Sequence, residues 1–266
     1  MASVRTDAPR PAYEAPILLH HNRIIVYFTM LPLKKATILL SVFVCTYAFA
    51  QEKVLKPTKF TPIPEVDLIK CEQLSDQTNE DPSIYKALSP EDKALVILGE
   101  EDNVLGHFYS AACSWYCGGE ISKVSSSSAL SDQYKGENAH DFSILNVWAE
   151  GVPGNGEGEY LAYAFPGRCP RITTIEILNG YTKTEKAWLD NGRVKRLRMY
   201  YNGEPYAVLE LEDTRRLQSF DVGILGFHDA SAPDWTLKFE ILDVYAGDKY
   251  ADTVITELFF DGIDVH

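Results

Sequence analysis

Apolar and polar residues alternate along the second half of the chain. The clearest case is Trp235-Thr-Leu237-Lys-Phe239-Glu-Ile241, where every second residue is apolar. That period belongs to a strand with one buried face and one wet face. Lys195–Tyr201 repeats it, with Leu197 and Met199 on one side. Short apolar runs flanked by Gly and Pro predict strands at Glu159–Phe165 and Arg171–Leu178, and Val254–Phe260 reads as a closing strand. Asn202-Gly203, ahead of Tyr206–Leu211, is hairpin-turn chemistry. Many short strands separated by turn signals predict a mainly β chain, an antiparallel β-sandwich from Ser122 onward.

The pattern differs upstream. Asp81-Pro82-Ser83 precedes Ile84–Leu88, and Ser89-Pro90-Glu91-Asp92 precedes Lys93–Leu98. Ser89 suits an N-cap, Pro90 a first turn, and the acids the positive end of a helix. Two short helices are predicted, so residues 82–120 read as a helical, Cys-rich segment packed on the sandwich. Residues 51–81 carry Pro57, Pro62 and Pro64 and read as an extended linker. Residues 30–50 combine Lys34-Lys35, an apolar run from Ala36 to Phe49 and the exit Ala48-Phe49-Ala50. This is the layout of a secretory signal peptide cleaved before Gln51. The run is short of the roughly 20 residues that span a bilayer, so a retained anchor is the weaker reading. Residues 1–29 lack a periodic pattern and read as a disordered upstream extension of the reading frame.

Composition narrows the partners. The net charge of −13 repels nucleic acid and anionic membrane surfaces. After leader removal, Cys71, Cys113, Cys117 and Cys169 form an even set in a secreted, periplasmic or extracellular chain. Such a set predicts disulfides, with three pairings open. Zinc is the rival, but Cys113 and Cys117 have neither a second close pair nor a His at ligand spacing.

One ordered series of residues resembles a known family. Val124-Ser-Ser-Ser-Ser-Ala-Leu130 leads to Asn138-Ala-His-Asp141, with Trp148 seven residues beyond the Asp. Then follow Glu150-Gly151, the Gly-rich run to Glu159-Tyr160, Asn179-Gly180-Tyr181-x-Lys183 and Asn191-x-Arg193-x-Lys195. Asp243-Val-Tyr245-x-Gly247-x-Lys249-Tyr250 and Ile255-x-Glu257 complete the series. Over about residues 121–262 it resembles a discoidin-like domain (coagulation factor type C, galactose-binding-like). The branch it resembles is the translocation domain found beside bacterial NAD glycohydrolase toxins. Phe142 departs from it where Gly is usual, and Asn146 where Thr is common. The resemblance implies a jelly-roll β-sandwich. It also implies a structural Ca²⁺ held by Asp141, Asn146 and Glu257; the alternative is that Asp141 caps a turn and Glu257 pairs with a cation.

Other candidates come from the residues themselves. Asn179, Tyr181, Lys183, Trp188, Asn191 and Arg193 bring planar polar groups beside aromatic faces, as carbohydrate recognition requires. The same residues also suit a turn with a core Trp188. Gly151–Gly158 lacks the following helix and Lys-Ser/Thr pair of a phosphate cradle, and reads as a tight loop at the sandwich rim. His140 has no nucleophile motif beside it, and Glu157 with Glu159 would act on glycosides only across a cleft. The expectation is a secreted, non-catalytic module for a glycan or glycosylated surface, without stable membrane insertion. A glycan- or NAD-directed hydrolase and a protein-interaction module are the alternatives.

Overall fold

The alternation at Trp235–Ile241 becomes the middle of β10 (Trp235–Tyr245), whose Trp235, Leu237, Phe239 and Ile241 are buried. In this computed structural model the described residues are 52–100, 106 and 115–265. The upstream extension, the leader and Cys113 lie outside them. β10 pairs antiparallel with β5 (Tyr160–Phe165) and with β7 (Gly192–Tyr201). β3 (Lys123–Ser126) continues this layer beyond β5, and β8 (Glu204–Glu210) beyond β7. The β7–β8 hairpin turns at Asn202 and Gly203, both at positive φ (51° and 83°), the geometry that favours Asn-Gly.

The second layer runs β2 (Lys59–Pro62), β9 (Arg216–Leu225), β6 (Ile172–Asn179), β11 (Thr253–Gly262), with β4 (Trp148–Ala149) on β11. The layers join where Thr253 and Val254 pair in parallel with Gly192 and Arg193. Between them Ile175, Ile177, Phe220 and Val222 share one apolar cluster with Leu197, Met199, Leu237 and Phe239. The architecture is the expected mainly β sandwich with a short helical segment ahead of it. Trp115, in a 3-10 turn over Trp115–Cys117, closes the core from outside the strands. It is fully buried, packs edge-on to Phe165, and donates from Nε1 to the Pro170 carbonyl at 2.8 Å.

The N-terminal region differs from the extended linker expected over 51–81. β1 (Val54–Leu55) adds in parallel to β8, and β2 adds antiparallel to β9. Glu52 forms a two-point ion pair with Arg198, at 2.7 and 3.1 Å. The prolines end the strands but do not prevent them. Past Pro64, α1 (Leu68–Glu80) starts at Asp67, whose carboxylate accepts from the Lys70 amide at 3.1 Å. α1 buries Leu68 and Cys71 in a second apolar cluster with Ile144, Leu178, Leu217 and Phe259. α2 (Ile84–Ala87) and α3 (Pro90–Glu100) match the two predicted helices. Ser89 caps α3, its hydroxyl accepting from the Asp92 amide at 3.0 Å.

The expected disulfides are absent among the described cysteines: Cys71, Cys117 and Cys169 are free. Cys71 sits under α3 with its thiol on the Leu95 carbonyl, and Cys169 turns to the Glu120 carbonyl. Each buried thiol therefore has a backbone partner and packs as a small apolar side chain. No helix among the described residues is long and apolar enough to cross a membrane.

Candidate functional site

Asp141 follows a 3-10 segment (Gly136–His140) and opens a tight loop. Its Oδ1 accepts from the Ser143 amide at 3.0 Å, and its Oδ2 from Asn146 Nδ2 at 2.8 Å. Phe142 adopts φ +63°, the left-handed region that favours the usual Gly. A side chain there costs about 1–2 kcal/mol. The ring offsets that cost by packing on Tyr116, His140 and Phe259 at centroid distances of 5.0, 5.5 and 5.3 Å. The departure at Phe142 thus keeps the glycine-type backbone and adds an aromatic anchor.

Glu257 of β11 reaches this loop from the sheet and is fully buried. No donor group of the protein reaches either of its carboxyl oxygens. Burial first, and then the Asp141 carboxyl, push its pKa well above the ordinary range. The Phe142 and Ser143 amides pull the other way, but neither reaches hydrogen-bond geometry, and the Ser143 amide is directed at Asp141. The fold therefore brings Asp141, Asn146 and Glu257 together. Among the described residues no group of three or more His, Cys, Asp or Glu stands at metal-binding spacing. The set is two carboxyls and one amide.

The six residues read as a ligand lip divide. Asn179 is fully buried, its amide bridging the Val194 backbone at 2.7 and 2.9 Å. Trp188 lies in α4 (Glu185–Asp190), which the sequence reading missed although Thr184 caps it. The Trp188 Nε1 donates to the Asn179 carbonyl at 3.0 Å, and the Arg193 guanidinium covers its ring at 4.5 Å. Arg193 is 6% exposed and grips Asp213 at 2.7 and 3.1 Å. These three are scaffold, because their polar atoms are already bonded within the fold.

Tyr181 and Asn191 instead line an open cleft of about 360 Å³. Its floor includes Val147, Ala149 and Val254, and Tyr134 and Tyr181 pack against that floor. Tyr250, Leu130, Asp190 and Asp252 complete the walls. Asn191 is held by a bond from its amide to the Ala187 carbonyl at 2.8 Å. Lys183 points elsewhere, to a second, more polar hollow with Asp67, Glu185 and Arg215. The sequence reading did not select Tyr134, Tyr250 or Asp252, since they come from loops distant in sequence.

The candidates for chemistry have structural partners. Glu159 accepts from both Ser127 and Ser128 hydroxyls, tying β5 to the end of β3. Glu150 is fully buried and accepts from the Val152 and Thr253 amides at 2.9 and 3.1 Å. The Gly-rich loop wraps this carboxyl: Gly156 has φ +73°, and a Cβ there would stand 2.4 Å from Glu150 Cγ. The loop is a rim turn built around an acid, as its lack of a following helix predicts. His140 is half-buried and enclosed by aromatic rings, with Nδ1 2.7 Å from the Leu258 carbonyl. Burial lowers its pKa to about 4, against the Leu258 bond that raises it.

The NAD glycohydrolase translocation F5/8 type C domain matches this chain over residues 115–261, a stretch that holds the Asp141 loop, the cleft, the strands from β3 to β10 and all but the last residue of β11. The chain belongs to this family. Among solved structures, this translocation domain is similar to the CBM32-1 and CBM32-2 domains of Clostridium perfringens ZmpB in complex with GalNAc. The identity is 13% and the TM-score 0.43, over 76% of this chain and 51% of that one. It is also similar to CBM32-3 from a Clostridium perfringens family 31 glycoside hydrolase, at 15% identity and TM-score 0.36, over 53% of this chain and 92% of that one. A longer ZmpB structure, with both CBM32 domains and the M60 catalytic domain, aligns at 14% identity and TM-score 0.40 over 56% of this chain. The chain spans 14% of that structure and about half of the two-domain one. No curated protein matches the chain in sequence.

Proposed function

We propose that the chain is a secreted, non-catalytic module that binds carbohydrate, on a glycan or a glycosylated surface, through the Tyr134–Tyr181–Tyr250 cleft. The observation that carries this reading is the composition of the cleft: tyrosine faces over an apolar floor, with Asn191, Asp190 and Asp252 at its walls. Sugars present apolar C–H faces and a rim of hydroxyls, and such a mixture of aromatic and planar polar groups complements both. The family description, an F5/8 type C domain, supports a binding module. Binding without turnover is supported by Glu159 and His140, which are engaged by Ser127, Ser128 and the Leu258 carbonyl.

Calcium belongs to the same proposal. Asp141 and Glu257 would supply carboxylate oxygens and Asn146 its amide oxygen. Buried and with no donor reaching its oxygens, Glu257 fits a hard cation that prefers oxygen ligands. A bound Ca²⁺ supplies the positive charge that lets Glu257 ionise in a dry site, and it joins the first loop of the sandwich to its last strand.

The test is titration of the purified full chain with a sugar panel that includes galactose and GalNAc, read by calorimetry, alongside a glycan array. Saturable binding that weakens in Tyr181→Ala supports the reading. A folded protein that binds no sugar, or one that turns the sugar over, overturns it.

A further inference from the structure

The family match begins at residue 115, yet a helix from outside it touches the cation loop. Glu72 of α1 accepts from the Ser143 hydroxyl at 2.6 Å. The Ser143 amide in turn donates to Asp141 Oδ1 at 3.0 Å, and Asp141 is bonded to Asn146 and sits beside the buried Glu257. A chain of contacts thus runs from α1 through Ser143 to the carboxyl pair. The apolar seat of α1 lies at the same place. Leu68 and Cys71 share a cluster with Ile144, inside the loop, and with Phe259, two residues beyond Glu257. The second carboxyl oxygen of Glu72 is also buried without a hydrogen bond. Burial raises the Glu72 pKa, and the Ser143 bond opposes this.

We propose that α1 is a built-in strap over the cation loop, and that Glu72 is a positioning residue for the divalent-cation site through Ser143. This rests on the calcium reading above and adds to it a residue that the sandwich domain does not contain. Because Ser143 is held by Glu72 on one side and by Asp141 on the other, the loop is ordered for oxygen ligation only when α1 is docked. Linkage makes the effect mutual: a cation that binds the ordered loop must hold α1 in place. Partners that orient metal ligands in this way commonly change affinity by 10- to 100-fold.

The experiment uses the full chain and Ca²⁺ itself, with affinity read by calorimetry and the docking of α1 by amide hydrogen exchange over Leu68–Glu80. Glu72→Leu and Ser143→Ala are each expected to weaken Ca²⁺ by about tenfold. The double variant is expected to be no weaker than the worse single one, since both break one chain of contacts. Glu72→Gln keeps an acceptor for the Ser143 hydroxyl and is expected to stay within about threefold of the native affinity, well short of the tenfold loss that outer-shell partners carry. Ca²⁺ is expected to slow exchange in α1 of the native chain and to leave it unchanged in Asp141→Asn. Melts in chelator show whether Glu72→Leu is folded, and Ser143→Ala and Glu72→Gln decide the matter if it is not. Native binding of Ca²⁺ with equal affinity in all the variants, or with no change in α1 exchange, overturns the strap while leaving the calcium reading standing. A native chain that binds no Ca²⁺ overturns both.

Discussion

Glu257 lies buried beside Asp141, and the Asp141 carboxyl adds to burial in raising the Glu257 pKa well above the ordinary carboxylate range. Such a pair is costly to ionise without a counter-charge. Near neutral pH, Glu257→Gln is therefore expected to melt at or above the native midpoint in chelator, because no buried acid must be kept neutral. In saturating Ca²⁺ the order is expected to reverse. At a hundredfold excess over the dissociation constant, the native chain gains about 2.7 kcal/mol and the variant gains nothing. Thermal melts of both proteins in Ca²⁺ and in chelator check this.

His140 gives an acid-side prediction. Unfolded, it takes up a proton near pH 6.5; folded, only near pH 4. Between these values the unfolded chain holds the extra proton, so its contribution to stability is complete above about 6.5 and falls as pH drops towards 4. The full loss is about 3 kcal/mol. Glu257 acts with the opposite sign. Its raised pKa makes folding weaker as pH rises above its unfolded value, so the comparison must be between proteins. Urea melts at pH 7 and pH 4, in chelator, are expected to show a smaller acid loss in His140→Gln than in the native chain.

Trp188 and Tyr181, both read from sequence as ligand residues, should separate cleanly. Trp188→Ala removes the platform under Arg193 and is expected to cost about 3–5 kcal/mol of stability. Tyr181→Ala opens a cleft wall and is expected to weaken sugar binding by about 0.5–1.5 kcal/mol, a few-fold to tenfold, with a much smaller change in midpoint. Denaturation and sugar titration of the same two proteins test the contrast.

Gly156 should tolerate no side chain. A Cβ would collide with Glu150 at a backbone angle suited to glycine, whereas at Gly154 it would meet nothing within 4 Å. Gly156→Ala is expected to lose about 1–3 kcal/mol, more than Gly154→Ala, which meets backbone strain alone. Chemical denaturation of the two variants under one condition measures the difference.

The strands with clean alternation were legible in sequence, and so was the Asn202-Gly203 hairpin. β9 was not, because Gln218 and Ser219 are buried within it. Gln218 exchanges two hydrogen bonds with the Glu212 backbone, which satisfies a polar side chain where an apolar one would have revealed the strand. α1 escaped notice because its buried side chains are few and three prolines precede it. The acid loop was implied by the family resemblance that Asp141 and Trp148 help carry, but the contribution of Glu72 was hidden, since nothing local marks a residue whose partner lies in another element. Asn179 and Arg193 show the same limit from the other side. An amide or guanidinium suits a sugar and a buried backbone equally well, and Val194 and Asp213 decide which it serves.

The short arm ahead of the helices has a further consequence. β1 lies along β8 and β2 along β9, and each covers the outer side of a different layer. Unpaired strand margins are templates for pairing with another copy. A fragment cut at the start of the family match would bare two such margins at once, and stacking of one copy on the next would become its main route out of solution. The first dozen described residues thus act against self-association, a service the sandwich core cannot perform for itself.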